Sequence, residues 1–327
     1  MTTKLSICLI APFPPIKGGI AQHSARLGQA LQELGHTVDV VSWYRQYPSS
    51  LYPGEQVAPR RDQRHMLSWR NPRSWVRARG RVRQAVLVVF PWVSPFNAWV
   101  LAFLVAGIRS RTIAVVHNAL PHDPQPLAKP LTRLFLTRLN HYVVHSRSVG
   151  NQLEDLLGSL DIRYVAHPPN LDIAPSPLPP TPPLRLLFLG YIRRYKGVDV
   201  LLRAISVLMS RGVDVRALVA GEAWGLQDEL GTLARELGIE NSVEFRFSYV
   251  DDAEVVDLLA GHHLVVQPYR EASQSGVIPL AMAARRPVVV TRVGGLEEQV
   301  EEVSAVPSPS LMTRFPWPTQ SSAEPGP

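Results

Sequence analysis

The sequence predicts an α/β protein of two domains, each a parallel sheet covered on both faces by helices. Three observations carry this. The chain has 327 residues, 46% of them hydrophobic, which is enough for two cores. Short Val/Ile/Leu-rich runs alternate with helix-like stretches, the pattern of strands buried on both faces. A segment with eight prolines, residues 167–184, interrupts the alternation and then lets it resume.

In the first half the strand candidates are 6–11, 37–42, 85–90, 112–117, 142–146 and 162–166. Between the first two, residues 18–36 place Ala25, Leu27, Leu31 and Leu34 at roughly helical spacing, and Gly35 supplies a C-cap. Residues 84–108 carry no charge and have the length of a membrane span. Pro91, Ser94, Pro95 and Asn97 fall in their middle, so they are read as a buried strand and a helix, 97–108. The Pro-rich stretch is stiff and extended. Beyond it, strands are expected at 185–189, 215–220, 243–247, 263–267 and 287–291, with helices at 198–209, 226–237, 252–259 and 277–284. The expected domains are therefore 1–167 and 184–302, joined by a linker at 168–183. The Pro-rich tail, 303–327, lacks periodicity and is expected to be disordered.

Charge narrows the function classes. The formal net charge is +7, yet residues 60–83 alone carry nine arginines against Asp62, or 9 − 1 = +8. Charge this confined argues against a nucleic-acid binder. With Trp69 and Trp75 among it, the segment is read either as a dock for anionic lipid or as a mobile surface loop. The lone Cys8 can form neither an internal disulfide nor a Cys-based zinc site, and its apolar run makes it a buried, inert thiol. The N-terminus lacks the apolar stretch and cleavage site of a signal peptide, so the expected location is cytoplasmic.

Five motifs follow strands. Gly18-Gly19 opens a helix, where close backbone approach and free N–H groups suit an anion; an ordinary βα turn reads the same way. His117 ends a strand, where open α/β sheets bind ligands, although a lone His is as often structural. Gly190 to Gly197 places Arg193, Arg194 and Lys196 on a strand-to-helix loop suited to a diphosphate; a solvated basic loop is the bland alternative. Residues 267–283 run from a strand through Glu271, Ser273, Gln274, Ser275 and Gly276 into a helix at Val277, offering donors to phosphate. The fifth is another strand and a Gly294-Gly295 turn.

The order GGI, VHN, G-x-I-R-x-x-K-G, P-Y-x-E-A-S-Q-S-G-V and V-G-G-L resembles the family 4 retaining glycosyltransferases of GT-B fold, over roughly residues 5–301. The resemblance implies two Rossmann-like domains facing each other across a cleft. It implies a nucleotide-diphosphate sugar as donor, bound mainly by the second domain, and a glycan or lipid-linked acceptor. By position, Arg193 and Lys196 would hold the diphosphate, with Gly190 in the same loop, and Gly18 and Gly19 would close over it. His117 would sit beside the transferred sugar. Glu271 with the Ser273, Gln274, Ser275, Gly276 and Val277 backbone would contact sugar and phosphate. Neither a metal nor another cofactor is implied. The expected location is cytoplasmic, and peripheral at the inner face of the membrane if residues 60–83 dock on lipid.

Two departures stand out. The family commonly carries two glutamates separated by seven residues. Aligning on Ala281-Met282-Ala283 puts Leu280 in the place of the second and leaves Glu271 one position off the first, so the resemblance assigns no ribose-binding glutamate and no nucleotide base here. The family also continues beyond V-G-G-L with a further βα unit and a helix that crosses back, so this chain is expected to be truncated or altered at its C-terminus. A catalytically silent homologue that binds a partner or glycan is the alternative reading.

Overall fold

The computed structural model describes residues 3–47, 59, 61–92, 94–108, 111–121, 125 and 127–304. Most of the tail for which disorder is expected, from residue 305 onward, lies outside them, as does Arg60.

The chain divides into two compact units. The first comprises Met1–Ile173 with Glu271–Leu280 and Gly294–Glu302, and the second Ala174–Arg270, Ala281–Val293 and residues from Val303. The loop and helix starts near the C-terminus are thus built into the first unit, not the second.

In the first unit the strands are β1 (Ser6–Ile10), β2 (Thr37–Arg45), β3 (His65–Ser68), β4 (Leu87–Trp92), β5 (Thr112–Val116), β6 (His141–Val144) and β7 (Asp161–Tyr164). They form one sheet in the order β3-β2-β1-β4-β5-β6-β7, and every pair is parallel. Side chains alternate between two buried faces. Ile7, Leu9, Val89 and Val115 pack on one side, and Cys8, Ile10, Val88, Phe90 and Val116 on the other. The helices are α1 (Gly19–Glu33), α2 (Pro72–Gln84), α3 (Ala98–Val105), α4 (Ala128–Leu136) and α5 (Arg147–Leu157). Cys8 is buried as expected, and desolvation pushes its thiol up to about 12, so it stays an inert thiol at neutral pH.

The second unit holds β8 (Leu184–Leu189), β9 (Val215–Ala220), β10 (Val243–Arg246), β11 (Leu264–Gln267) and β12 (Val288–Val290). They are parallel in the order β10-β9-β8-β11-β12. Its helices are α6 (Val198–Ser210), α7 (Gln227–Glu236) and α8 (Asp252–Gly261). Helices α9 (Val277–Ala283) and α10 (Leu296–Ser304) close the described chain. Asp251 caps α8 reciprocally with Glu254.

The uncharged run 84–108 is a strand and a helix, as its sequence predicts, and among the described residues no helix is long and apolar enough to cross a membrane. Pro91, however, does not break the strand. The β1 ladder ends at Val89, so Pro91 needs no N–H on that side and pairs only with Val115 of β5. The arginine-rich segment is not a loop either: it supplies β3 and α2. The guanidinium of Arg79 binds the Phe103 and Ala106 carbonyls at the C-terminus of α3, and Arg81 pairs with Asp39. Trp75 donates to the Ser68 carbonyl at 2.7 Å and packs edge-on against Trp99. Arg61, Arg64, Arg70, Arg73, Arg77 and Arg83 remain exposed.

Candidate functional site

Open α/β sheets bind ligands where the strand order reverses, outside the carboxyl ends of the strands. In the second unit that point lies between β8 and β11. The loop after β8 carries Gly190, Arg193, Lys196 and Gly197, and the turn after β11 carries Tyr269 and Arg270. The two are locked together by close approach. A Cβ on Gly197, which has φ +67, would lie 2.0 Å from the Pro268 carbonyl oxygen. Arg270 pairs with Asp199, lowering the carboxylate's pKa through that hydrogen bond.

Both cations rest on aromatic faces. The Arg193 guanidinium sits 4.1 Å from the Trp224 ring centroid, and the Lys196 ammonium 3.8 Å from that of Tyr269. Burial, aided by the neighbouring Arg193 charge, lowers Lys196 to about 7. An ammonium that has given up its water gains most from an incoming anion. Arg194 is different, since a two-point pair with Glu229 ties it to α7.

In the first unit the reversal lies between β1 and β4. Gly18 follows β1 and caps α1 with φ 120, a conformation that favours glycine. A Cβ on Gly19 would meet nothing within 4 Å, so its own packing does not demand glycine. His117 follows β5 and is buried, with Nδ1 2.9 Å from the Gln274 amide. Three further histidines surround it: His23 of α1, His145 after β6 and His167 after β7. Burial lowers all four, His23 to about 3 and His167 to about 4, so they are neutral at pH 7. Ligand nitrogens of His23, His117 and His145 lie within 4.8 Å of one another, which makes them the metal-competent group among the described residues.

The loop from Glu271 to Val277 belongs to this first unit. Glu271 is exposed at its head. The Ser273 carbonyl accepts from the Ser146 hydroxyl at 3.1 Å. The Ser275 N–H and C=O are held by the Gln299 side chain at 2.7 and 3.2 Å, and the Ser275 hydroxyl accepts from the Val277 N–H. The Ser275 N–H is therefore engaged within the protein, and this residue sets the shape of the loop. A Cβ on Gly276 would stand 3.8 Å from His167. The Gly-Gly turn presses directly on the loop: a Cβ on Gly294 would lie 1.6 Å from the Ala272 oxygen. Glu298 accepts from the Arg147 and Ser148 N–H groups, placing a carboxylate on the N-terminus of α5.

Thus the structure groups His117 with Ser273, Gln274, Ser275 and Gly276 in one unit, and Gly190, Arg193 and Lys196 in the other. Sequence reasoning missed His23, His145, His167, Gln299, Trp224 and Tyr269. Each is recognisable only by its spatial neighbours, although His145 and His167 share with His117 a place just beyond a strand.

Residues 17–173 match the family described as Glycosyltransferase Family 4, and residues 183–310 that described as Glycosyl transferases group 1. The chain belongs to the family 4 glycosyltransferases of GT-B fold. A D-inositol 3-phosphate glycosyltransferase of Corynebacterium aurimucosum is 38% identical over 114 residues, 33% of this chain and 27% of that protein. One from Nocardia farcinica is 29% identical over 216 residues, 59% of this chain and 47% of the relative. The chain thus matches less than half the length of these two relatives. Among solved structures, sucrose-phosphate synthase from Thermosynechococcus elongatus has a TM-score of 0.70 at 16% identity, covering 90% of this chain and 83% of that one. HepE of Anabaena, solved with UDP-glucose, has a TM-score of 0.60 at 17% identity, covering 91% and 82%. At these identities the likeness is one of fold.

Proposed function

We propose that the chain transfers a sugar from a nucleotide-diphosphate sugar to a glycan or lipid-linked acceptor with retention of configuration. The desolvated Lys196 beside Arg193, at the strand-order reversal of the second unit, carries this reading. As the glycosidic bond breaks, negative charge builds on the departing diphosphate, and fixed cations stabilise it. Gly190 and Gly197 shape that loop, and Gly18 and Gly19 offer helix-start N–H groups. Neutral His117 faces the transferred sugar as a hydrogen-bonding group and not as a cation. Glu271 and the loop through Val277 contact sugar and phosphate. Attack comes from the face that the diphosphate leaves, with no enzyme nucleophile, and the transfer itself uses no metal or other cofactor.

Nucleotide release from a panel of nucleotide sugars tests the reading. Lys196→Ala is expected to lower turnover about 100-fold or more, the size of losing one preorganised transition-state contact. Turnover equal to wild type would sink the diphosphate role.

Leu280, buried where the family commonly places its second glutamate, favours the alternative of a silent homologue that binds a partner or glycan without transfer. Sugar transfer by the purified chain eliminates that alternative. The acceptor side includes a surface on α2 and α3 with exposed Arg73, Arg77 and Val76 and partly exposed Trp99 and Phe103. We read it as a contact for the anionic inner face of the membrane. Vesicles containing anionic lipid should float the wild type and not an Arg73→Ser/Arg77→Ser variant; equal flotation removes this contact.

A further inference from the structure

Four imidazoles meet at the carboxyl end of the first sheet. Ring centroids lie 4.7 Å apart for His23–His117, 5.2 Å for His23–His145, 5.3 Å for His117–His145 and 5.0 Å for His145–His167. His23, His117 and His145 are 5%, 3% and 6% exposed.

Their hydrogen-bond accounts do not close. His145 Nδ1 lies 2.9 Å from the Val165 carbonyl and His167 Nδ1 2.8 Å from the Pro168 carbonyl. A carbonyl can only accept, so both Nδ1 atoms carry the proton and both Nε2 atoms present bare lone pairs. His145 Nε2, His117 Nε2 and His23 Nδ1 are buried with no hydrogen-bond partner. Gln274 Oε1, whose amide faces His117 Nδ1, is likewise buried without one. Turning that amide, whose nitrogen and oxygen are interchangeable in shape, lets His117 Nδ1–H donate to Oε1. His117 Nε2 then also becomes a bare lone pair. Buried lone pairs converging without a donor are unfavourable unless a cation joins them.

We propose that His23, His117 and His145 bind a divalent transition-metal ion, with His167 or water in the fourth position. Three imidazoles with an open fourth position are a known zinc set, and imidazole suits Zn²⁺ and its neighbours better than Mg²⁺ or Ca²⁺. Nδ1–H bonds to a carbonyl or amide oxygen, as at His145 and His117, orient ligating histidines. Metal–nitrogen bonds of about 2.0–2.1 Å require ligand nitrogens about 3.3 Å apart in a tetrahedron, so the rings close in from their 4.8 Å limit by rotation. The ion takes His117 away from the sugar, so metal and donor compete; that consequence rests on the proposed transferase role, whereas the site does not.

The test titrates the full, tag-free chain with Co²⁺. One equivalent should give the intense visible bands of four-coordinate Co²⁺, and Zn²⁺ should bleach them. His23→Gln and His145→Gln should each weaken binding at least tenfold, with His262→Gln unchanged. In case these variants fail to fold, imidazole NMR of wild type gives the same answer: Co²⁺ should broaden His23, His117 and His145 first. The site is overturned by a stoichiometry below one, by weak six-coordinate bands, or by first broadening at other histidines. In a turnover assay, Zn²⁺ should inhibit competitively with the nucleotide sugar. Unaltered turnover with the ion bound overturns the competition. Absence of all turnover in the metal-free chain, when that chain still binds Co²⁺, overturns the transferase reading and leaves the site standing.

Discussion

The two sheets place their loops at equivalent reversals and answer the same desolvation differently. At the end of the first, four imidazoles are all held neutral. At the end of the second, Lys196 has lost most of its preference for the proton and still titrates near 7. The starting affinities explain this. A histidine begins near 6.5, so any burial removes its charge at neutral pH, whereas a lysine begins near 10.4 and has room to fall. The Tyr269 face under Lys196 further favours the charged form. The first unit therefore offers lone pairs and the second offers cations.

The largest expected break of this contrast is a charge placed among the imidazoles. His23→Lys should cost about 3–5 kcal/mol, the scale of an unpaired buried charge, in urea unfolding. An unchanged midpoint would mean that the cluster is open to water. Next comes Gly294→Ala, which drives a methyl into the Ala272 oxygen at a φ of +51. A loss of about 2–3 kcal/mol is expected, with the Gln274 contact to His117 disturbed; a stability within error of wild type would show that the turn is not needed to hold the loop.

Two pH profiles sharpen the contrast with smaller effects. If charged Lys196 grips the diphosphate, the donor KM should rise above pH 7, by up to about tenfold per unit, and Lys196→Arg should flatten the rise. The same profile in both proteins would assign the titration elsewhere. The histidines act in the opposite range. Their folded pKa values lie below 6.5, so between about 4 and 6.5 the unfolded chain binds more protons, and stability falls as pH drops below 6.5. Thermal unfolding that is flat from pH 7 to 5 would contradict this. His145→Gln should reduce the acid slope by part of its size.

How much was readable beforehand follows from what each feature depends on. Strand 215–220 is met at both ends by β9, because a buried parallel strand is written in its own apolar run. Lys196 and Arg193 were legible as a basic loop between glycines. Their aromatic seats were not, since Trp224 stands on a loop beyond β9 and Tyr269 beyond β11. Strand β3 and helix α2 were hidden by arginines. Helix α2 buries only Ser74, Ala78 and Val82, so its inward face carries little hydrophobic signal. The role of Gly294 was invisible as well, because a close approach to Ala272 leaves no local pattern.

The sequence by itself determined the α/β class, the family and the cationic loop. These depend on periodicity, composition and motif order, which are properties of neighbours along the chain. Only the tertiary structure decided that four histidines from α1 and three strand ends share one site, and that the 271–280 loop packs within the first unit. It also decided that Arg79 and Arg81 serve the fold while their neighbours face solvent. Those outcomes depend on burial and on contacts between distant residues, and no local pattern encodes either.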